Sequence, residues 1–314
     1  MADLALPRVG LGGGELGNLH EPRSDDDAHA LLQAAWDGGV RYFDTAPHYG
    51  LGLAERRLGR FLADKPRDAY VVSTKVGRLL RPSPLTADRL DTANLFAVPA
   101  AYERVWDPSP AGIRRSLEES LERLGLDRVD VLFLHDPDAY DLAPALATGL
   151  PALAALRDEG LVRAVGVGSM STDALLAAAR SGAADLLMVA GRYTLLEQAE
   201  ELPDTCRALG VGIVAAGVLN SGLLARPRPA ADARYDYGAA PDDVLAQARR
   251  LADVCAAHGV DLPTAALRFP LRHDAVRSVV LGAATAAQVR ENLARLRAPV
   301  PEALWDAVRR TVPA

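Results

Sequence analysis

Cysteine and lysine are scarce in this sequence. The two cysteines, Cys206 and Cys255, can build neither a disulfide framework nor a four-thiolate metal site. Of the 35 lysine and arginine residues only two are lysines, Lys65 and Lys75. Lys65 lies in the polar stretch DKPRD, but Lys75 closes an apolar strand, an unusual place for a charge. No run of 18 apolar residues is present, so no segment reads as membrane-spanning. The net charge is -6 and the basic residues are scattered, which argues against nucleic-acid binding. The first twenty residues show no cationic start and no apolar run of signal-peptide length, and the expectation is a cytoplasmic chain. What remains is ordinary globular composition, 49% hydrophobic and 24% charged over 314 residues. A chain of that length buries about three quarters of its unfolded surface, so its core needs no staples.

Short apolar runs alternate with longer helical patterns. Strands are predicted at Arg8–Leu11, Tyr42–Asp44, Tyr70–Thr74, Val129–Leu134, Ala164–Val167, Leu186–Val189, Gly212–Ala215 and Ser278–Leu281. Each is apolar on both faces, as buried parallel strands are. Amphipathic helices are predicted over roughly 25–37, 53–63, 110–123, 144–158, 172–180, 203–209, 242–258 and 285–296, several opening on N-cap signals such as Ser24 and Ser171. Eight alternations predict one α/β domain over residues 1–314, a single (β/α)8 barrel. A doubly wound sheet is the runner-up, but it wants a G-x-G-x-x-G turn directly before its first helix, and about ten residues separate Gly10–Gly14 from that helix. Two connections are long, 77–109 and 223–241, and both follow barrel strands. They would hang over the C-terminal face, where barrels carry their sites.

Polar residues collect at the strand ends. Strand 2 ends at Asp44, followed by Thr45-Ala46-Pro47-His48-Tyr49-Gly50; strand 3 ends at Lys75, strand 4 at His135-Asp136 and strand 5 at Ser169. Together they place a carboxylate, a phenol, an ammonium and an imidazole at one barrel mouth. Their joint logic is proton transfer. A free tyrosine titrates near 10, too high for a good base, and a nearby ammonium favours its phenolate. Tyr49 then reads as the general acid/base, Lys75 as its tuner, Asp44 as the anchor of Lys75 and His135 as the group that orients substrate.

On the segments FDTAPHYG, STKVG, LFLHDPD and GAATAAQVRENL the sequence resembles the aldo-keto reductase superfamily. That resemblance implies a barrel oxidoreductase holding a nicotinamide dinucleotide with no metal. It carries Gly12, Gly13, Asp44 and Ser169 to the cofactor, Tyr193 to the face of the nicotinamide, and Leu219, Ser221 and Gly222 to a loop over the pyrophosphate. Glu291 and Asn292 become partners of the adenine. The family's Gln before the stacking Tyr is Ala190 here, and its Ser-Asn pair after strand 5 is replaced around Gly168, Ser169 and Met170. The positions that grip a 2′-phosphate in relatives using NADP are Gly282, Ala283 and Gln288 here, so the resemblance implies NAD, with NADP as the alternative.

The segment AGRYTLLEQ, the HDPD turn and the loop after Lys75 look most like the aldose dehydrogenases, which oxidise L-fucose and related D-threo aldoses at C1. A broad aldehyde, ketone or pyridoxal oxidoreductase is the alternative, and a cofactor-sensing regulatory barrel a distant one. His48, Trp106 and Asp136 are candidate substrate contacts beside His135, with Asp138 near them. Their rival readings are structural: loop packing for Trp106 and helix capping for the aspartates. Pairing Asp44, His48 and His135 as metal ligands is a further rival, but strands 5 to 8 offer no more ligands. His20, His29, His258 and His273 read as surface residues. The partner called for is a small sugar or aldehyde.

Overall fold

The computed structural model describes residues 4–198 and 200–312. Eight parallel strands close a barrel in chain order: β1 (Val9–Gly12), β2 (Tyr42–Asp44), β3 (Val71–Val76), β4 (Val131–His135), β5 (Ala164–Ser169), β6 (Leu186–Ala190), β7 (Gly212–Ala216) and β8 (Val276–Leu281). The helices α1 (Asp25–Asp37), α2 (Leu53–Leu62), α3 (Pro110–Leu124), α4 (Leu142–Asp158), α5 (Thr172–Arg180), α6 (Glu201–Leu209), α7 (Asp242–Ala257), α8 (Leu262–Arg268), α9 (Ala286–Arg297) and α10 (Glu302–Thr311) ring it. The (β/α)8 expectation holds, with every expected strand in place. Ser24 and Ser171 cap α1 and α5 as their sequences suggest. Ser24 Oγ accepts from the Asp27 N–H while the Asp27 carboxylate reaches back to Ser24, and Ser171 accepts from Ala174.

Strand alternation sorts the residues. Tyr42, Phe133, Met188, Val214 and Val280 fill the barrel interior, and their neighbours Phe43, Leu132, Leu187 and Ile213 pack outward in the main core under the helices. Two steps beyond Tyr42 and Phe133 the inward positions become Asp44 and His135. On β3 the inward series runs Val71, Ser73, Lys75. The same period that fills the core therefore aims three polar side chains into the mouth.

Three features differ from the sequence expectation. The segment 77–109 is not an open loop: Arg78–Pro82 and Tyr102–Trp106 pair as an antiparallel hairpin over the mouth. Helices α8 and α10 were not expected. The first is seven residues long, capped by Asp261 on the Thr264 N–H. The second begins after Pro301 and buries Leu304, Trp305 and Val308 in a satellite core with α7. Such short helices draw their stability from packing, which a periodicity reading sees poorly.

The turn that carries Tyr49 is pinned by two glycines. Gly50 sits at φ +61°, and a Cβ there would lie 2.3 Å from the Gly17 carbonyl oxygen. Gly50→Ala is therefore expected to lose at least about 1–3 kcal/mol, the usual scale of backbone strain in this region. It should also slow turnover through the displaced Tyr49. Urea denaturation checks the first effect, and an unchanged midpoint would contradict the packing described.

Candidate active site

The mouth is organised around Lys75. Its ammonium, almost wholly buried, donates to Asp44 Oδ2 at 2.6 Å, to the Thr45 carbonyl at 3.0 Å and to Tyr49 Oη at 3.0 Å. Asp44 is held from its other oxygen by Ser73 Oγ at 2.7 Å, and Tyr42 Oη meets that Ser73 hydroxyl at 2.9 Å. The His135 ring stands edge-on to Tyr49, with centroids 6.0 Å apart and planes at 89°. Asp44, Tyr49, Lys75 and His135 thus converge as the strand ends suggest. Ser73 and Tyr42 were missed, although both lie on the inward period of their strands.

Burial dominates the electrostatics here. Desolvation works against the Lys75 ammonium, but Asp44 and then Tyr49 outweigh it and hold Lys75 charged above its ordinary range. Burial pushes the Tyr49 phenol up; Lys75 pulls it down, Asp44 and Asp136 push it up again, and the balance is upward. The expectation that Lys75 brings the phenol below its free value is corrected: the ammonium acts in the expected direction and desolvation exceeds it. Burial first, then Arg78 and Lys75, drives His135 well below its usual value. Burial, Arg78 and Arg104 push His48 down to about 2. Both imidazoles are neutral near pH 7 and can donate a hydrogen bond without adding charge.

Beside this cluster stands a polar wall. Asp136, at φ +42°, pairs with Arg78 at 2.6 Å, and Arg78 lies 4.4 Å from the Trp106 ring centroid. Trp106 stacks on Tyr140 at 5.7 Å. His48 packs edge-on against His135 and Phe96, and its Nδ1 is buried without a hydrogen-bond partner. Asp136 gives no side-chain cap to the short helical turn that follows it, so helix capping is not its role. Asp138 instead accepts from Ser169 Oγ at 2.6 Å. The metal-site rival finds no support: among the described residues no group of three histidine, cysteine or acidic side chains is placed to hold an ion, and Asp44 is committed to Lys75.

Residues 8–312 match the model of the Aldo/keto reductase family. The chain belongs to that family. It is 54% identical to D-threo-aldose 1-dehydrogenase of Pseudomonas sp, covering 97% of this chain and 93% of that one. It is 37% identical to pyridoxal 4-dehydrogenase of Microbacterium luteolum, covering 98% and 94%. Among solved structures, the holo form of an aldo-keto reductase from Bacillus halodurans superposes with a TM-score of 0.78 at 24% identity, covering 100% and 95%, a likeness of fold. This aldo/keto reductase is accordingly an oxidoreductase, and its family implies a nicotinamide cofactor.

Local geometry fits such a group. The inward positions ending β5, β6 and β7 are Gly168, Ala190 and Ala216, which leave a shelf of small residues opposite the polar cluster. Gly222, at φ +92°, and Gly282 both open onto free space. Gly13 is tightly placed, its N–H on the Asp44 carbonyl at 2.7 Å, and Gly12 pairs with Asp44 across β1 and β2. Leu219, Ser221 and Gly222 form a tight turn after β7, where Ser221 Oγ accepts the Tyr237 N–H at 3.0 Å. Asn292 is buried with its amide 3.4 Å from the Gly282 carbonyl. Gln288 is exposed and caps the Ala284 N–H, and Glu291 pairs with Arg295.

Some expected residues stand elsewhere. Tyr193 does not face the mouth. Gly191 turns the chain at φ +70°, and the Tyr193 ring descends into the outer core against Phe269 at 5.4 Å and His273 at 6.0 Å. His273 is therefore not a surface residue; it packs there and meets Asp204 at 3.2 Å. His258 is also half-buried, bonded to the Val254 carbonyl, whereas His20 and His29 are exposed. Arg192, next to Tyr193, pairs with Asp236 of the long segment after β7. Tyr237 of that segment keeps an exposed side, yet desolvation first, then Tyr49 and Asp136, push its phenol up to about 12. It belongs to the long connection 223–241 that the sequence places over the C-terminal face.

Two measurements check the site. Tyr49→Phe should lose about 10²–10⁴ in kcat while cofactor binding persists, and a variant within about threefold of the parent would refute the role of Tyr49. Subtracting the ultraviolet titration of Tyr49→Phe from that of the parent, both without cofactor, should reveal no Tyr49 phenolate below the ordinary phenol value of 10.0. A phenolate signal near neutrality would contradict the dominance of desolvation.

Proposed function

We propose that this protein is an NAD-linked aldose 1-dehydrogenase that oxidises C1 of a sugar such as L-fucose or D-arabinose to the lactone. The observation that carries this reading is the likeness to D-threo-aldose 1-dehydrogenase along nearly the whole chain. The polar wall of Asp136, Arg78 and His48 beside Tyr49 supports it, since it offers acceptors and donors to several hydroxyls at once. Asp44, Tyr49, Lys75 and His135 are the proposed catalytic groups.

Tyr49 takes the proton of the C1 hydroxyl. It does so as the phenolate, the minor form that the Lys75 ammonium 3.0 Å away stabilises, and the transfer leaves Tyr49 a neutral phenol. Asp44 keeps that ammonium in place and charged. Neutral His135 donates to the substrate oxygen and fixes the angle of approach. When bound, the nicotinamide supplies the acceptor for the C1 hydrogen and its electron pair. Gly12, Gly13, Leu219, Ser221, Gly222, Gly282, Gln288, Glu291 and Asn292 are the chain's proposed cofactor contacts. The thiols Cys206 and Cys255 are buried and pushed up to about 11 and about 12 by that burial, which suits no redox part in the chemistry.

L-fucose, L-galactose and D-arabinose should be the best substrates in a steady-state panel with NAD. Faster turnover of simple aromatic aldehydes or of pyridoxal would overturn the assignment. NAD should serve at least as well as NADP, because Gly282, Ala283 and Gln288 supply no cation for a 2′-phosphate. Of the candidate replacements Arg226 and Arg228, the second is paired with Asp253 at 2.7 Å. Losing one charge-assisted bond costs roughly 1.5–3 kcal/mol. Comparing kcat/KM for both cofactors tests it, and a preference for NADP above about tenfold would mean that another cation grips the phosphate.

A further inference from the structure

The mouth has two unlike halves. Asp44, Lys75 and His135 end β2, β3 and β4, whereas Gly168, Ala190 and Ala216 end β5, β6 and β7 on the same inward face. A Cβ at Gly168 would already meet Met188 Cβ at 3.5 Å and Lys75 Cε at 3.8 Å, so a longer side chain would fill this shelf. Its flatness suits a planar ring lying against it and facing Tyr49.

One residue at the rim breaks the rule that buried polar groups are paired. Asn220, in the turn after β7, is 3% exposed, and among the described residues neither its Oδ1 nor its Nδ2 has a hydrogen-bond partner. Its backbone is held at φ +46°, with its N–H on the Gly217 carbonyl at 2.8 Å. The amide lies beside the β6 turn: a Cβ on Gly191 would be 4.0 Å from Asn220 Nδ2 and 3.9 Å from Asp236 Oδ1. The neighbouring polar groups are already spoken for. Asp236 is paired with Arg192 at 2.6 Å, and Ser169 Oγ donates to Asp138 and accepts from the Ser171 N–H. An open donor and an open acceptor therefore stand side by side next to the shelf.

We propose that Asn220 recognises the carboxamide of the nicotinamide ring, its Nδ2 serving the carboxamide oxygen and its Oδ1 the carboxamide nitrogen. This rests on the nicotinamide-dependent reading above. The donor set selects the ligand. A pyrophosphate offers acceptors alone and would set its charge against Oδ1. A carboxamide offers a donor and an acceptor with the same spacing as the asparagine amide. Asn220 would then fix which way the ring lies on the shelf, and hence which face it turns to the substrate.

Calorimetric titration of the full chain with NAD and with ADP-ribose, which lacks the nicotinamide, tests this without turnover. (If NADP binds more tightly, it and its own nicotinamide-free analogue are used.) Asn220→Gly removes the amide and suits a positive φ; Asn220→Asp keeps the shape and loses the donor. Each is expected to weaken NAD about tenfold while ADP-ribose affinity stays within about twofold. Equal losses for both ligands would assign Asn220 to the turn or the pyrophosphate and overturn the proposal, as would no loss for either. Should one variant not fold, as judged by its thermal transition, the other decides. A parent chain that binds neither dinucleotide would overturn the nicotinamide-dependent reading itself, a result distinct from selective failure of the variants.

Discussion

A lysine ammonium buried inside a barrel is the constraint on which the rest of the mouth depends. Taking a charge out of water is costly unless it is paired and hydrogen-bonded. Lys75 meets that condition with three acceptors: Asp44, the Thr45 carbonyl and Tyr49. Two of those acceptors are in turn fixed by something else. Ser73 and Tyr42 hold Asp44, and the Gly17–Gly50 contact holds the turn of Tyr49. The charge that is hard to bury thus becomes the reason why the neighbouring groups have one arrangement. Satisfying the ammonium and preparing it to stabilise a phenolate are one structural requirement.

The remaining cations reinforce this division of labour. Burial first, with Arg78 and Arg104 adding to it, keeps His48 and His135 neutral, and each arginine is itself paired, with Asp136 and Asp91. Hence the cation beside the phenol is Lys75, and the imidazoles act through hydrogen bonds. On the opposite side of the mouth the small residues at the ends of β5, β6 and β7 keep space open. The segment after β7 closes over it through the Arg192–Asp236 pair and the Tyr237–Ser221 bond. Charge on one half and room on the other is what an oxidoreductase with a large flat cofactor and a small polar substrate requires.

Sequence alone determined the barrel, because strands buried on both faces must be continuously apolar and eight of them alternate with amphipathic helices. It also determined the polar cluster, since Asp44, Lys75 and His135 are polar exceptions at apolar strand ends and period two aims them inward. It did not reveal α8 and α10, whose stability comes from neighbours, nor the hairpin over the mouth, whose pairing joins residues far apart in the chain. Tyr193 shows the limit clearly. The resemblance carries it to the nicotinamide at the mouth, but the left-handed turn at Gly191 sends its ring into the outer core. Tertiary structure also decided the net shift of the Tyr49 phenol, because burial is set by all the surrounding elements and outweighs the one charge that the sequence places beside it. It decided the state of Asn220 for the same reason. Whether an amide is paired depends on what the fold brings against it, and here the turns after β6 and β7 lie against it while leaving both its donor and its acceptor open.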